Sequence, residues 1–195
     1  MLILQFLTSI SLISLVASAT TLAPVEYPFR LRVWKNWKGG PPYLDSQPEI
    51  DAWGDFIVNK TQGYAGFLSK LTPDPKRGEL KGVDNPGQGY LQPLETPGHY
   101  QFKWARKYIP YIINQPGVLS QNFTRGGQDC GGNCGGITMR YNAKPYGQGI
   151  ESGTWFVVPH PRHDPGVYLV RYTTDSGKYP LPTGAYYVYM WASDV

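Results

Sequence analysis

The stretch YPFRLRVW, residues 27 to 34, alternates apolar and polar side chains with a period of two. Successive side chains of a strand point to opposite faces, so this period predicts a strand with one face in the core and the other in solvent. Arg30 and Arg32 fall on the solvent face. The positions assigned to the core are Tyr27, Phe29, Leu31 and Val33.

Outward from this stretch, the chain repeats short segments rich in β-forming residues. They are DFIVN (55–59), YAGFL (64–68), HYQFKWA (99–105), YIPYII (108–113), GITMRY (136–141), TWFVV (154–158), GVYLVRYTT (166–174) and AYYVYMW (185–191). The 23 glycines and 18 prolines are spread along the whole length and exclude long helices. The pattern predicts an all-β domain, an antiparallel sandwich or barrel of about nine short strands.

The segments between these strands are rich in turn residues. Residues 72–98 and 114–135 are predicted to be long loops, and loops of that length usually carry function. SQPEIDAW, from Ser46, predicts a short helix because it combines a capping serine with Glu49 three residues later.

The amino-terminal segment predicts export. It carries no charged side chain, is apolar from Leu2 to Val16 and ends in Ala17-Ser18-Ala19, which is typical of a secretory signal. We therefore expect a signal peptide at residues 1–19 and one secreted, extracellular β-rich domain at 20–195. No later stretch is long and apolar enough for a transmembrane anchor.

The formal net charge is +4, but the basic residues are scattered and form no block. A mildly basic, solvated surface accounts for this distribution, and it contains no specific signal for nucleic acid.

The stretch QDCGGNCGG, residues 128–136, holds both cysteines. Their C-x-x-x-C spacing differs from the C-x-x-C of redox motifs, and an oxidising compartment favours a disulfide between Cys130 and Cys134. A zinc site that combines them with His160 and His163 is the alternative. Sequons at Asn59 and Asn122 predict glycosylation on the surface.

The stretch PHPRHDP, residues 159–165, is predicted to be a rigid exposed turn between two strands. An alternative interpretation is a secreted hydrolase or metal-independent nuclease, since a base, an acid and a cation for phosphate are all present. Its candidate catalytic residues are Glu151, His160, Arg162 and His163, with His99 as a further histidine. No motif for a nucleophile, a metal or a phosphate loop occurs, so we expect no metal ligand and no cofactor.

Aromatic residues form the remaining signal, with 6 Trp and 15 Tyr. VWKNWKGGPPY, residues 33–43, predicts an aromatic and cationic binding patch. The residues of that patch are Trp34, Lys35, Trp37, Lys38 and Tyr43. In the last segment, Tyr187, Tyr189 and Trp191 lie on the face opposite Tyr186, Val188 and Met190, and we expect the latter face to belong to the core.

Several features together resemble uncharacterised small secreted proteins of filamentous fungi. They are the signal peptide, the opening YPFRLRV, one small disulfide and the closing set TWFVV, GVYLVRY and YYVYMW. The resemblance implies an effector-like or cell-surface β-rich protein and carries over no catalytic residue. We therefore expect a non-catalytic binding or host-surface interaction role, with a cell-wall glycan or an extracellular host protein as partner.

Overall fold

The structure is a computed structural model, and it describes residues 28–35, 48–59, 68–71, 78–84, 86–106, 110–126, 138–141, 153–163 and 165–194. The predicted signal peptide, Cys130, Cys134 and Glu151 lie outside the described residues, as do Trp37, Lys38 and Tyr43 of the predicted aromatic patch.

The described residues form twelve strands and one short helix. The strands are β1 (Phe29–Lys35), β2 (Glu49–Ile50), β3 (Phe56–Asn59), β4 (Leu68–Leu71), β5 (Leu80–Gly82), β6 (Gly87–Pro93), β7 (His99–Arg106), β8 (Phe123–Gly126), β9 (Thr138–Tyr141), β10 (Thr154–Pro159), β11 (Val167–Thr173) and β12 (Tyr186–Asp194), and the helix is α1 (Pro110–Ile113). The all-β prediction is confirmed, and the strand count exceeds the predicted nine.

The opening strand has the predicted register over its described residues, and Tyr27 lies outside them. Phe29, Leu31 and Val33 are buried in the core, and Arg32 is exposed on the other face. β1 pairs antiparallel with β12 along its whole length, which places Leu31 opposite Ala192 and Val33 opposite Met190. Alternation in both strands therefore directs two rows of apolar side chains into one core.

All strand pairs are antiparallel, and the pairing closes on itself. The path runs β11, β7, β6, β5, β4, β1, β12, and β10 then pairs with both β12 and β11. These eight strands surround the main apolar cluster, which includes Phe56, Phe102 and Trp155. β10 is buried on both faces, because Phe156 and Val158 pack into a second cluster against Leu181.

Two predicted elements are wrong. YIPYII was predicted to be a strand, but its last four residues form α1 on the surface, where Tyr111 is exposed. Pro110 begins this helix, at a position that needs no backbone N–H donor. The predicted helix at SQPEIDAW is absent from the described part of that stretch, where Glu49–Ile50 is a strand followed by a turn.

The predicted loop at 72–98 contains β5 and β6. The glycines of this stretch break the alternation expected of a strand. At Gly89 the reason is steric, because a side chain there would collide with Leu80. A Cβ at Gly89 would lie 2.7 Å from Leu80 Cδ2. Leu80 belongs to the main apolar cluster and fills the space that a side chain at residue 89 would otherwise occupy.

Two connections meet beside the end of β10. The first is the turn at 51–55 between β2 and β3, which Trp104 of β7 anchors by donating its backbone N–H to Gly54 O at 2.7 Å. The second is the segment 160–166 between β10 and β11, where the His160 N–H donates to Val167 O at 2.9 Å. Each connection carries polar side chains to the same place.

Candidate functional site

Asp51 is held in one orientation by its own turn. Its Oδ1 accepts hydrogen bonds from the backbone N–H groups of Trp53 and Asp55, both at 2.8 Å. This arrangement is typical of an Asx turn, in which a side-chain oxygen caps nearby backbone donors. The side chain is only 4% exposed. With Oδ1 fixed in this way, Oδ2 points away from the turn toward the 160–166 segment.

His160 was predicted to lie in an exposed turn, but its side chain is only 3% exposed. The residue continues the register of β10 on the face of Phe156 and Val158, and it is buried even though the chain then turns at Pro161. Its Nδ1 accepts the backbone N–H of Arg162 at 3.0 Å. A neutral imidazole has one donor and one acceptor, so the ring proton lies on Nε2.

The imidazoles of His160 and His163 converge on Asp51. The Nε2 atoms of His160 and His163 lie 3.7 Å and 4.0 Å from Asp51 Oδ2. The ring centroids of the two histidines are 4.2 Å apart. One possible ligand atom from each of the three residues lies within 4.8 Å of the other two. We call these residues the Asp51–His160–His163 cluster.

Two atoms of the cluster have unmet hydrogen-bonding capacity. Asp51 Oδ2 and His160 Nε2 are buried and have no hydrogen-bond partner among the described residues. Most buried polar atoms in folded proteins do have a partner, so these two atoms need an explanation, such as a bound ion or water.

Burial of the imidazole lowers the pKa of His160 from its ordinary value of 6.5. The neighbouring His163 acts in the same direction, whereas Asp51 and Asp55 oppose the shift. His160 is therefore uncharged near neutral pH. Uncharged imidazole is the protonation state that binds metal ions.

The solvent side of the cluster is formed by His163, Trp53 and Arg162. The His163 side chain is 33% exposed and contacts the Trp53 ring edge to face, with centroids 5.9 Å apart. The Arg162 guanidinium carbon lies 5.5 Å from the Trp53 ring centroid, in a cation–π contact. Trp53 is 52% exposed. The cluster is thus closed toward the core and accessible on one side.

No known protein family, curated protein or solved structure matches this chain. The cluster's chemistry therefore has to be argued from its own geometry. In the described part of the chain, no helix has the length and apolar character needed to cross a bilayer.

Among the candidate catalytic residues, the structure brings together His160, Arg162 and His163 and adds a carboxylate that the sequence argument missed. That carboxylate is Asp51, which is more than a hundred residues earlier in the chain. The DAWGD stretch at 51–55 did carry a signal, because an aspartate with a glycine three residues later is typical of a β-turn. His99 lies apart from this group. It pairs with Thr173 at one end of β11, whereas His160 bonds to Val167 at the other end. At ~3.3 Å per residue the two ends of the strand are roughly 20 Å apart.

The predicted aromatic patch is described only in part. Trp34 stacks on Trp191 with ring centroids 5.2 Å apart and an interplanar angle of 18°. The cation over the Trp34 ring is Arg32, at 5.2 Å, and the side chain of Lys35 is outside the described residues. Tyr187, on the same face of β12, is 37% exposed. The aromatic face therefore extends across β1 and β12, beyond the predicted stretch at 33–43.

The two predicted glycosylation sites lie at the surface end of strands. Asn59 is the last residue of β3 and is half-buried. Asn122 precedes β8 with a φ of 69°, and its side chain hydrogen-bonds to Tyr141. Their glycosylation stays a prediction.

Proposed function

We propose that this protein binds a divalent transition-metal ion at the Asp51–His160–His163 cluster and acts through that ion. One observation carries the proposal: Asp51 Oδ2 and His160 Nε2 face one another 3.7 Å apart, buried and without another partner in the described chain. An unsatisfied buried polar group costs about 1–3 kcal/mol. A cation bound between the two atoms removes both penalties at once.

The donor set selects the class of metal. Two imidazole nitrogens and one carboxylate oxygen suit zinc, copper, iron or manganese, whereas calcium and magnesium favour oxygen ligands throughout. Metal–ligand bonds of ~2.0–2.1 Å place ligand atoms roughly 3.3 Å apart at tetrahedral angles. The distances from Asp51 Oδ2 are 3.7 Å and 4.0 Å, and all three ligand atoms lie within 4.8 Å of one another, so coordination requires the side chains to close by up to about 1.5 Å.

Coordination through His160 Nε2 has an identifiable cost. The proton on Nε2 must move to Nδ1, and the Arg162 N–H then loses its acceptor. The Nδ1–H and the Arg162 N–H would then be two donors facing one another, so the turn at Arg162 must also move, at a cost beyond the net ~0.5–1.5 kcal/mol of the lost hydrogen bond. For comparison, four-ligand structural zinc binds to zinc-finger peptides with an apparent ~10–16 kcal/mol. We propose that coordination by the three residues of the cluster offsets this loss.

A metal-independent nuclease is less well supported by the same geometry. General acid–base catalysis requires each catalytic group to reach the substrate within hydrogen-bonding distance. His160 is almost fully buried, and its Nδ1 is already occupied by the Arg162 N–H. Of the two imidazoles, His163 alone is positioned to contact a substrate directly.

Export of the chain is part of the proposal. It is supported by the uncharged apolar segment from Leu2 to Val16 and the small residues that end it. The amino-terminal sequence of material recovered from the medium tests it, with Thr20 as the expected first residue. A first residue within the apolar segment, or retention inside the cell, would contradict export.

Calorimetric titration tests metal binding. The purified protein is stripped with a chelator, freed of the chelator and titrated with Zn(II) and with Co(II). We expect one equivalent of each to bind. Loss of a residue that only supports a metal ligand typically lowers metal affinity ~10–100-fold. Asp51→Asn should lower it by more, because the substitution removes the charge of a ligand. Asn can keep the Oδ1 hydrogen bonds that hold the turn. His163→Asn, on the exposed side, provides a second variant with little effect on folding.

His99→Asn is the matched control, because His99 is also a buried histidine with an unpartnered Nε2 but lies at the other end of β11. Its metal affinity should equal that of the unmodified protein. The proposal would be contradicted if neither Zn(II) nor Co(II) bound. It would also be contradicted if Asp51→Asn and His163→Asn bound metal as tightly as the unmodified protein.

A second candidate function is non-catalytic glycan binding on the outer face of β1 and β12. The observation that favours it is the continuous stack of Arg32, Trp34 and Trp191, with Tyr187 exposed beside it. Aromatic faces with polar tips make good contact platforms for sugar rings. Retention on insoluble chitin should fall in Tyr187→Ala and remain in Tyr111→Ala, a control that removes an exposed tyrosine from α1. Equal retention of both variants would count against this function.

A further inference from the structure

The solvent side of the Asp51–His160–His163 cluster is built to receive an anion. Asp51 and His160 close the cluster toward the core, so a metal ion held by three protein ligands has its open coordination position on the side of His163. Trp53 contacts His163 there, and Arg162 lies over the Trp53 ring. Arg162 and Trp53 therefore lie on the same solvent side of the cluster as His163.

The charges near the cluster favour a negative ligand. Asp55 is paired with Lys103 at 3.1 Å, and Arg106 donates to the backbone oxygen of Asp51 at 3.0 Å. Arg171 also interacts with Asp55, so with Arg162 four described cations lie near these two aspartates. A bound divalent ion would add two more positive charges. Positive potential in a partly enclosed site raises the local concentration of anions.

The Arg162 contact with Trp53 narrows the class of anion. The contact with Trp53 engages the face of the Arg162 guanidinium and leaves the N–H donors at its edge available for paired hydrogen bonds with oxygen atoms. Phosphate offers oxygens for this fork and another for a metal ion, as in metal-assisted phosphoryl chemistry. We infer that, once the proposed metal is bound, the cluster takes a phosphate group between the metal ion and Arg162. This inference rests on the proposed metal-binding function.

Cobalt spectroscopy tests the inference separately from metal binding. The protein is loaded with one equivalent of Co(II), and inorganic phosphate is added while the visible absorption of the cobalt is recorded. We expect a saturable spectral change, because phosphate would replace solvent at the open position. Arg162→Gln should raise the phosphate Kd about tenfold or more, as loss of a charge-assisted hydrogen bond does, while the Co(II) affinity stays unchanged.

Arg32→Gln is the matched control, since Arg32 makes the same kind of cation–π contact, with Trp34 on β1. Its phosphate affinity should match that of the unmodified protein. Acetate at the same concentration tests whether any anion suffices, and an equal response to acetate would overturn the assignment to phosphate. The anion site would be overturned if phosphate left the cobalt absorption spectrum unchanged. It would also be overturned if Arg162→Gln bound phosphate as tightly as the unmodified protein. Failure of Co(II) to bind at all would instead refute the metal site.

Discussion

His160 Nε2 lies 3.7 Å from Asp51 Oδ2, although the two residues belong to connections far apart in sequence. Backbone N–H groups fix the orientation of each side chain, at Oδ1 of Asp51 and at Nδ1 of His160. With these atoms held by the backbone, the two unpaired atoms, Asp51 Oδ2 and His160 Nε2, are left facing one another. Local backbone geometry prepares the cluster before any ligand binds.

The first prediction concerns the pH dependence of stability without metal. Burial lowers the pKa of His160, so the unfolded chain binds this proton more readily than the folded one. The free energy of unfolding should therefore decrease as the pH falls below 6.5, the ordinary value. Urea unfolding of the chelator-treated protein at pH 5 and pH 7 measures the difference. His160→Asn keeps an acceptor for the Arg162 N–H and should show a smaller decrease; an equal decrease would exclude His160 as its source.

The second prediction concerns Gly54, at the turn that holds Asp51. Its φ is 78°, and a Cβ there would lie 2.7 Å from the backbone oxygen of Trp104. Gly54→Ala should therefore lower the free energy of unfolding by more than the ~1–2 kcal/mol expected for a left-handed conformation alone. It should also weaken Zn(II) binding, because the substitution moves Asp51. Denaturant unfolding and zinc titration measure the two effects.

Gly117→Ala is the control for Gly54, because it has a similar φ of 81° and a nearest contact of only 3.3 Å, to Pro93 Cγ. It should lose stability from backbone strain and keep its zinc affinity. If Gly117→Ala were the more destabilised variant, the close approach to Trp104 would not be important.

The third prediction concerns the core that β1 and β12 share. Phe29 and Val188 are both buried in the main cluster. Truncation to Ala should lower the free energy of unfolding by about 3–5 kcal/mol for Phe29 and by a smaller amount for Val188, since fewer methyl groups are lost. Thermal and denaturant unfolding measure both changes. Val83→Ala, at an exposed position, should stay within about 0.5 kcal/mol of the unmodified protein.

The fourth prediction concerns the stacked pair Trp34 and Trp191. Their ring centroids are 5.2 Å apart at an interplanar angle of 18°. A double-mutant cycle to Ala should give a coupling of about 0.5–1.5 kcal/mol in the free energy of unfolding, as aromatic pairs do. Additive effects of the two substitutions would show that the stack contributes no stability of its own.

Much of the fold was predictable from local pattern. Phe29, Leu31 and Val33 alternate with polar residues, and β1 buries the face that this alternation predicts. Strands rich in β-branched and aromatic residues, such as TWFVV, were also located correctly. Besides the predicted helix at SQPEIDAW, the misses were at Pro110 and Gly89, where the effect of the residue depends on the element that it joins. Proline can begin a helix, and a glycine can lie in a strand where a neighbour fills its space.

For the candidate site, the sequence by itself determined only that His160, Arg162 and His163 share one short turn, because three neighbours on a turn cannot be far apart. Tertiary structure decided the rest. Burial of His160 follows from the register of β10, and Asp51 joins it because β3 pairs with β11 while the 51–55 turn is bonded to β7. Strand pairing over long sequence separations depends on the total packing of the sheet, and no local pattern of residues encodes which two connections it brings together.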